Sequence, residues 1–284
     1  MSNEINTKKS KSGFSPTGLT EISEVEFKKF KTWIYDAAGI NLSDHKRTLV
    51  MGRLAPRLRH HKLSKYGDYF SLLTSPKETV ELQIAIDLLT TNETYFFREP
   101  KHFDFLRDQI LKAHPPGQQM RIWSAASSTG EEPYTIAMTL AESLGNGAWE
   151  IIASDISSRV LDRARTGHYS MERARHIPQT LLHKYCLKGV GEQDGTFMIN
   201  AELKRRVKFQ YINLNNPLPQ LGEFNVIIIR NVMIYFDQDT KRKVIARMLP
   251  YLKRGGYLLI GHSESLNGIT DKLETIKPSI YRKP

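Results

Sequence analysis

Three observations predict an α/β fold of the doubly wound kind, preceded by an all-helical region. The run Val226-Ile227-Ile228-Ile229 places four β-branched residues in a row, which reads as a strand buried on both faces, as in a parallel sheet. Strand-like and helix-like segments alternate after Thr91. The apolar run then gives way to Arg230-Asn231-Val232-Met233-Ile234-Tyr235-Phe236. Polar groups therefore stand at a strand's carboxyl end, where open α/β sheets bind their ligands.

The elements follow in order. Met1 to about residue 18 is polar and Ser/Lys-rich and is expected to be a disordered tail. Residues 19–90 are expected to form a helical domain. Ser23-Glu24-Val25-Glu26 is a capping-box pattern, Phe30, Trp33, Ile34 and Ala37 recur at helical spacing, and Gly39 is a stop. A second helix starts after Ser43 and reaches about His61, with Val50, Leu54 and Leu58 as its apolar stripe. Tyr69, Leu72 and Leu73, then Val80, Leu82, Ile86 and Leu89, mark two more helices.

Residues 91–284 are expected to form the α/β domain. Phe103, Leu106 and Ile110 mark a helix ending before Pro115-Pro116-Gly117. Strands are expected at Arg121–Ala125, Glu150–Ser154, Val226–Arg230 and Tyr257–Ile260. Helices are expected at Glu132–Leu144, at Ser158–Arg165, and after a capping Asp237. Residues 167–207 break the alternation, and Gly189, Gly191 and Gly195 punctuate them; a short helix and a small antiparallel β-subdomain inserted into the α/β domain are expected there.

Composition bounds the function. The chain has 284 residues, 40% of them hydrophobic and 25% charged, as in an ordinary globular protein. Its net charge of +11 suits an anionic partner without choosing among nucleic acid, membrane surface and acidic protein. The single cysteine, Cys186, excludes an intrachain disulfide and a cysteine metal cluster and fits a reducing cytoplasm. The sequence shows neither a signal peptide nor an apolar run long enough to cross a bilayer. The histidines lack metal-ligand spacing, so no metal is expected.

Two turns carry the chemistry. Ser124-Ala125-Ala126-Ser127-Ser128-Thr129-Gly130-Glu131-Glu132-Pro133-Tyr134 has small residues that let the backbone approach a ligand, but neither G-x-G-x-x-G nor a P-loop. Glu131 and Glu132 oppose a phosphate and together suit a cationic ligand; either alone reads rather as a helix N-terminus favouring acidic residues. Asp155 ends the second strand, where a carboxylate accepts two hydrogen bonds from a ribose diol, or simply caps the next helix. Together the turns describe a positively charged nucleoside without phosphate, a description that S-adenosylmethionine fits.

Thr90-Thr91-Asn92-Glu93-Thr94-Tyr95-Phe96-Phe97-Arg98-Glu99, Trp123 to Tyr134, Ala153-Ser154-Asp155 and Arg230 to Phe236 resemble, in order and separation, the motif set of the CheR-type chemoreceptor glutamate O-methyltransferases. The resemblance runs from about Leu19 onward. Where the family pattern has a cysteine this chain has Ile229, inside the strand. The resemblance implies a Rossmann-like class I methyltransferase domain, S-adenosyl-L-methionine as donor with S-adenosyl-L-homocysteine as product, and receptor glutamates as acceptors. It implies cofactor contacts from Asn92, Thr94, Arg98, Glu131, Glu132, Asp155, Asn213, Leu214, Arg230 and Asn231, with Arg98 and Tyr235 facing the reacting methyl. It also implies a cytoplasmic enzyme recruited to membrane-bound receptors; a monomer is expected.

The basic residues Lys46, Arg47, Arg53, Arg57, Arg59, His60, His61 and Lys62 crowd one predicted helix. They read either as a solvated cationic face or, with Arg53, Arg57 and Arg59, as a docking surface for an acidic receptor helix. The resemblance further implies that the inserted β-subdomain can take a receptor's C-terminal tether peptide, with Lys188, Gly189 and Gly191 as candidates; a purely stabilising insert explains the same residues. A nucleic-acid methyltransferase is the competing enzyme class, but adenine or cytosine amino methylation favours an Asn/Asp-Pro-Pro-Tyr/Phe turn, and Asn231-Val232-Met233-Ile234 has no proline. A non-catalytic receptor-binding module with the same fold is the third reading, opposed by the presence of both Arg98 and Tyr235.

Overall fold

The computed structural model describes residues 21–284, so the expected tail and Leu19 lie outside the described residues. Backbone contacts divide the chain into two units: residues up to Ile34 with Leu42–Leu89, and Tyr35–Asn41 with Thr90–Pro284.

The first unit is helical, with α1 (Glu24–Ala38), whose residues from Tyr35 onward count with the second unit, α2 (Arg47–His60), α3 (Tyr66–Leu73) and α4 (Thr79–Leu89). The capping box at α1 forms: the Ser23 backbone N–H and hydroxyl donate to Glu26 at 2.8 and 2.7 Å, and the Glu26 N–H donates to Ser23 Oγ at 3.2 Å. Gly39 follows α1 with φ +71°, the left-handed stop that glycine adopts without strain. Val50, Leu54 and Leu58 are fully buried, as their spacing predicts.

The unit also buries an ion pair. Glu81 receives the Arg57 guanidinium as a fork, Nε at 2.8 Å and Nη2 at 2.5 Å, and the Tyr69 hydroxyl at 2.6 Å. Arg57 is thus committed inside its own unit, and Arg53 donates to the Leu89 carbonyl at 3.0 Å. Of the candidate docking arginines, Arg59 is the exposed one.

The second unit is built on one seven-stranded sheet. A helix α5 (Pro100–Phe105), continued by a π-helical turn over Leu106–Leu111, precedes β1 (Met120–Ser124), α6 (Glu131–Leu144), β2 (Trp149–Asp155) and α7 (Ser158–Thr166). The insert contributes β3 (His168–Ser170), α8 (Gln179–Tyr185), β4 (Cys186–Lys188), β5 (Thr196–Ile199) and α9 (Ala201–Arg205). Then come β6 (Val207–Tyr211), β7 (Phe224–Ile229), α10 (Gln238–Met248), β8 (Leu252–Ile260), β9 (Glu274–Lys277) and β10 (Ile280–Arg282). The strand order is β6-β2-β1-β7-β8-β10-β9, and β10 and β9 are antiparallel additions to an otherwise parallel sheet.

Strand β7 is buried on both faces, as its four β-branched residues predict. Val226 and Ile228 enter one core cluster, and Ile227 and Ile229 the other. From β1 the chain moves to β2 and β6 on one side, then crosses to β7 and β8 on the other. The switch point lies between β1 and β7, where ligands of such sheets bind. The insert forms a separate antiparallel sheet in the order β3-β5-β4. The sequence reading did not anticipate β6, β9 or β10. β6 is a half-exposed edge strand, and every residue of β9 is exposed, so neither shows a continuous apolar run.

Glu81 has a side chain only 4% exposed. Burial raises its pKa, but the hydrogen bonds from Arg57, Tyr69 and His61 outweigh that and hold the carboxyl at about 2, against 4.5 for the ordinary group. A depressed folded-state pKa contributes stability fully above 4.5, and that stability is lost as pH falls through the folded value. Urea unfolding followed by circular dichroism is expected to show the wild type losing more stability than Glu81→Gln between these limits. At neutral pH, Glu81→Ala should cost about 3 kcal/mol by stranding the Arg57 charge.

Candidate active site

β1 ends at Ser124, whose hydroxyl donates to Glu132 Oε1 at 2.7 Å from the strand's last position. The turn that follows needs unusual backbone: Ser128 has φ +48° and Gly130 φ +99°. A Cβ on Gly130 would stand 2.7 Å from the Tyr169 hydroxyl and 2.9 Å from Ala164 Cβ, so only glycine fits. Asp155, at the end of β2, accepts the Ser128 N–H at 2.8 Å and the Ser157 N–H at 2.9 Å. One carboxylate thereby ties two loops of the sheet's carboxyl edge together.

The two glutamates of this turn have different tasks. Glu132 lies 3.0 Å from Arg230 Nε; burial raises its pKa against the pull of Arg230. Glu131, fully buried, accepts the Thr129 hydroxyl at 2.6 Å and Arg173 Nη1 at 2.5 Å. Arg173 belongs to the insert and was not singled out from the sequence.

At the end of β7, Arg230 has a side chain 2% exposed. Its Nη2 donates to the Arg98 carbonyl at 2.6 Å, its Nη1 lies 3.2 Å from His102 Nδ1, and Glu99 Oε2 is 3.8 Å from its Nε. Burial and the Arg230 charge hold the His102 pKa down at about 4, so the ring is neutral at pH 7. Burial raises Glu99, but Arg230, the His262 N–H and the Asn231 amide outweigh it and the carboxyl is held below its usual range. Glu99, His102 and His262 bring their ligand atoms within 4.8 Å of one another, a spacing a metal could use; here the Arg230 guanidinium already supplies the positive charge beside them.

Asn231 adopts φ +57° and donates to Glu99 Oε1 at 3.3 Å. Its N–H, with those of Gly261 and Ile234, is accepted by Glu264 at 3.0, 2.6 and 3.2 Å. Glu264 thus fixes the loop leading to Tyr235, and burial raises its pKa despite these donors. A Cβ on Gly261 would come within 2.7 Å of Asn231 Nδ2 and 2.8 Å of Glu264 Oε2. Glu264 is not among the residues expected from the sequence; its signal there is the Gly261-His262-Ser263-Glu264 turn directly after a strand.

The other candidates fall as follows. Asn92 presents its carbonyl to the Ser128 hydroxyl at 2.9 Å, which joins the segment before α5 to the first turn. Thr94 is half-buried, and its carbonyl accepts Arg173 Nη1 at 3.2 Å. Arg98 folds back on its own segment, donating to the Glu93 carbonyl at 2.7 Å with its guanidinium 5.8 Å from the Tyr95 ring. Tyr235 is half-buried, and its carbonyl accepts the Asn41 N–H at 2.8 Å. Asn213 spends its amide on the end of α1, donating to the Ala37 carbonyl at 2.6 Å, and accepts the Asn215 N–H at 2.9 Å. Leu214 is buried beside it.

In the insert, Lys188 is exposed on β4, which is an edge strand. Gly189 has a different reason to be glycine from the one expected. A Cβ there would meet Gln193 O at 2.0 Å and Thr196 Oγ1 at 2.6 Å, so the residue serves its own turn rather than making room for a peptide. Gly191 has φ +60° and open space around it.

This edge fits S-adenosylmethionine. Among the described residues, Glu99 Oε2 and Ser127 Oγ are buried without a hydrogen-bond partner, and Arg230 Nε has only its ion pair with Glu132. All three belong to the segments that converge on the carboxyl ends of β1 and β7. A carboxylate acceptor and a hydroxyl suit the ammonium of a methionine moiety. With Glu132 and Asp155 added, the edge favours a cationic nucleoside over a phosphate.

The comparisons agree. The model of the CheR methyltransferase S-adenosylmethionine-binding domain matches residues 92–282, and that of the CheR all-alpha domain matches residues 25–90. The chain is 42% identical over 265 residues to a chemotaxis protein methyltransferase of Escherichia coli, spanning 92% of this chain and 91% of that protein. It is 39% identical over 273 residues to one of Borreliella burgdorferi, spanning 92% and 95%. Its α/β unit is an S-adenosylmethionine-binding domain, and the chain belongs to the CheR methyltransferase family.

Proposed function

We propose that the protein transfers the methyl group of S-adenosylmethionine to glutamate side chains of bacterial chemoreceptors, forming glutamyl methyl esters. The observation that carries the reading is the acidic edge at the β1/β7 switch point, with Arg98 tied to it through its own carbonyl. Bound S-adenosylmethionine supplies a sulfonium methyl and is converted to S-adenosylhomocysteine. A glutamate carboxylate, with a pKa near about 4.3, is already the nucleophile at neutral pH, so no general base is required. The residues have to align two opposite charges and exclude water. The Arg98 guanidinium has the fork that holds a carboxylate, and the Tyr235 hydroxyl can orient an oxygen or the methyl. Asp155 would hold the ribose, and Asn92, Thr94, Asn213 and Leu214 the rest of the nucleoside.

Receptor capture has two supports. The net charge of +11 favours an acidic receptor helix, and the exposed Arg59 on α2 is a docking candidate free of the Glu81 pairing that occupies Arg57. On the insert, edge strand β4 offers backbone for strand addition. Leu187 and Val190, 56% and 77% exposed, flank that backbone with apolar surface for a tether peptide. The protein would act as a monomer in the cytoplasm at membrane-bound receptors.

Purified protein with methyl-labelled S-adenosylmethionine and receptor-containing membranes should place label on receptors that mild alkali releases as methanol. Label confined to nucleic acid, or none beside confirmed cofactor binding, would overturn the acceptor. Arg98→Ala should lower the initial rate by about 100-fold or more with an unchanged thermal midpoint; a folded variant at the wild-type rate would remove Arg98 from the mechanism. Arg59→Ala should raise the KM for receptor several-fold at low salt and leave S-adenosylhomocysteine affinity unchanged, and the difference should shrink as salt rises. Equal losses in both quantities would argue against docking at Arg59.

A further inference from the structure

The segment that carries Thr94 and Arg98 is held in a conformation it would not keep alone. Phe97 and Glu99, on either side of Arg98, both have left-handed backbones, φ +57° and +58°. Such non-glycine residues cost about 1–3 kcal/mol each and persist only where the surroundings over-determine them. Part of that restraint comes from α6, whose Thr135 hydroxyl accepts the Phe97 N–H at 3.1 Å. Glu99 is held by the Asn231 amide, the His262 N–H and Arg230, and a further part of the restraint comes from the insert. Phe96, fully buried, packs edge-on against Tyr169 at 5.1 Å and against Phe197 at 5.8 Å. Tyr95 lies 4.9 Å from the His176 ring. The Tyr169 hydroxyl donates to the Thr129 carbonyl at 2.7 Å, reaching the first turn of the sheet.

Arg173 joins these contacts into one clamp. Its Nη1 donates to the Thr94 carbonyl at 3.2 Å and to Glu131 Oε1 at 2.5 Å. Glu131 is fully buried at the start of α6, whereas the Arg173 side chain is 37% exposed and comes from the insert. A fully buried carboxylate is costly unless paired, so Glu131 holds Arg173 in place, and Arg173 in turn fixes the Thr94 carbonyl.

We infer that Arg173 is a positioning residue for cofactor binding, acting from the insert through the Thr94 carbonyl. The inference rests on the assignment of Thr94 and Arg98 to the cofactor site proposed above. It gives the inserted sheet a task in every turnover, separate from any peptide it captures on β4.

Calorimetric titration with S-adenosylhomocysteine tests it, read beside the thermal midpoint of each variant. Arg173→Met should weaken binding about tenfold or more relative to wild type, and Arg173→Lys should recover part of the loss. Arg173→Met alone leaves Glu131 buried and unpaired, so the double variant with Glu131→Gln removes that charge and keeps the fold testable. The double variant is expected to recover the thermal midpoint while its affinity stays well below that of Glu131→Gln alone, the reference that accounts for any contact Glu131 itself makes to the cofactor. Recovery of affinity together with stability would reduce Arg173 to charge neutralisation and overturn the inference, as would an Arg173→Met affinity within twofold of wild type. Failure of the wild type itself to bind would instead count against the cofactor assignment.

Discussion

The Arg230 guanidinium, with a side chain 2% exposed, sets the arrangement of the sheet's carboxyl edge. Taking such a charge out of water costs several kcal/mol unless partners meet it with good geometry. The partners arrive from separate segments: Glu132 from the first turn of α6, the Arg98 carbonyl and Glu99 from the segment before α5, and His102 and the Phe103 ring from α5 itself. Bringing Glu99 and Asn231 to their places requires left-handed backbone at both. The left-handed backbone at Glu99 is therefore tied to this buried charge. Two carboxylates, Glu132 and Glu99, meet that single guanidinium.

Carboxylates elsewhere on the edge act as connectors of backbone. Asp155 gathers N–H groups from the turns after β1 and β2, and Glu264 gathers them from the turn after β8 and the loop after β7. A charged acceptor makes stronger hydrogen bonds than a neutral one, and a buried one has few alternatives to its present donors. Loops held in this way present side chains at fixed positions, which is what a transfer between two oppositely charged reactants demands.

These relations explain how much the sequence revealed. The strand at Val226–Ile229, the capping box at Ser23, the stop at Gly39 and the Asp237 cap were legible because each depends on neighbours within a few residues. The sheet's location of chemistry was legible because topology alone fixes it. The division of labour between Glu131 and Glu132 was not: the residues are adjacent and identical, and their partners Arg173 and Arg230 come from distant parts of the chain. Arg57 read as a docking charge for the same reason, since its partner Glu81 lies on another helix. Gly189 read as space for a peptide, whereas its own turn needs that space.

The acceptor's chemistry shifts the burden of catalysis onto positioning. The proposed carboxylate acceptor needs no proton removed, so the acid–base tuning that marks many active sites would have no task here. The perturbed groups agree with that. His102 is held neutral beside Arg230, Glu99 is held ionised by the same charge, and Glu264 lies against backbone N–H groups. All three are engaged with Arg230 or with backbone N–H groups. In such a site the residues that hold Phe97, Glu99 and Asn231 in their left-handed backbone matter as much as the residues that touch the reactants. They are found among buried ion pairs and inserted elements, where motif patterns do not point.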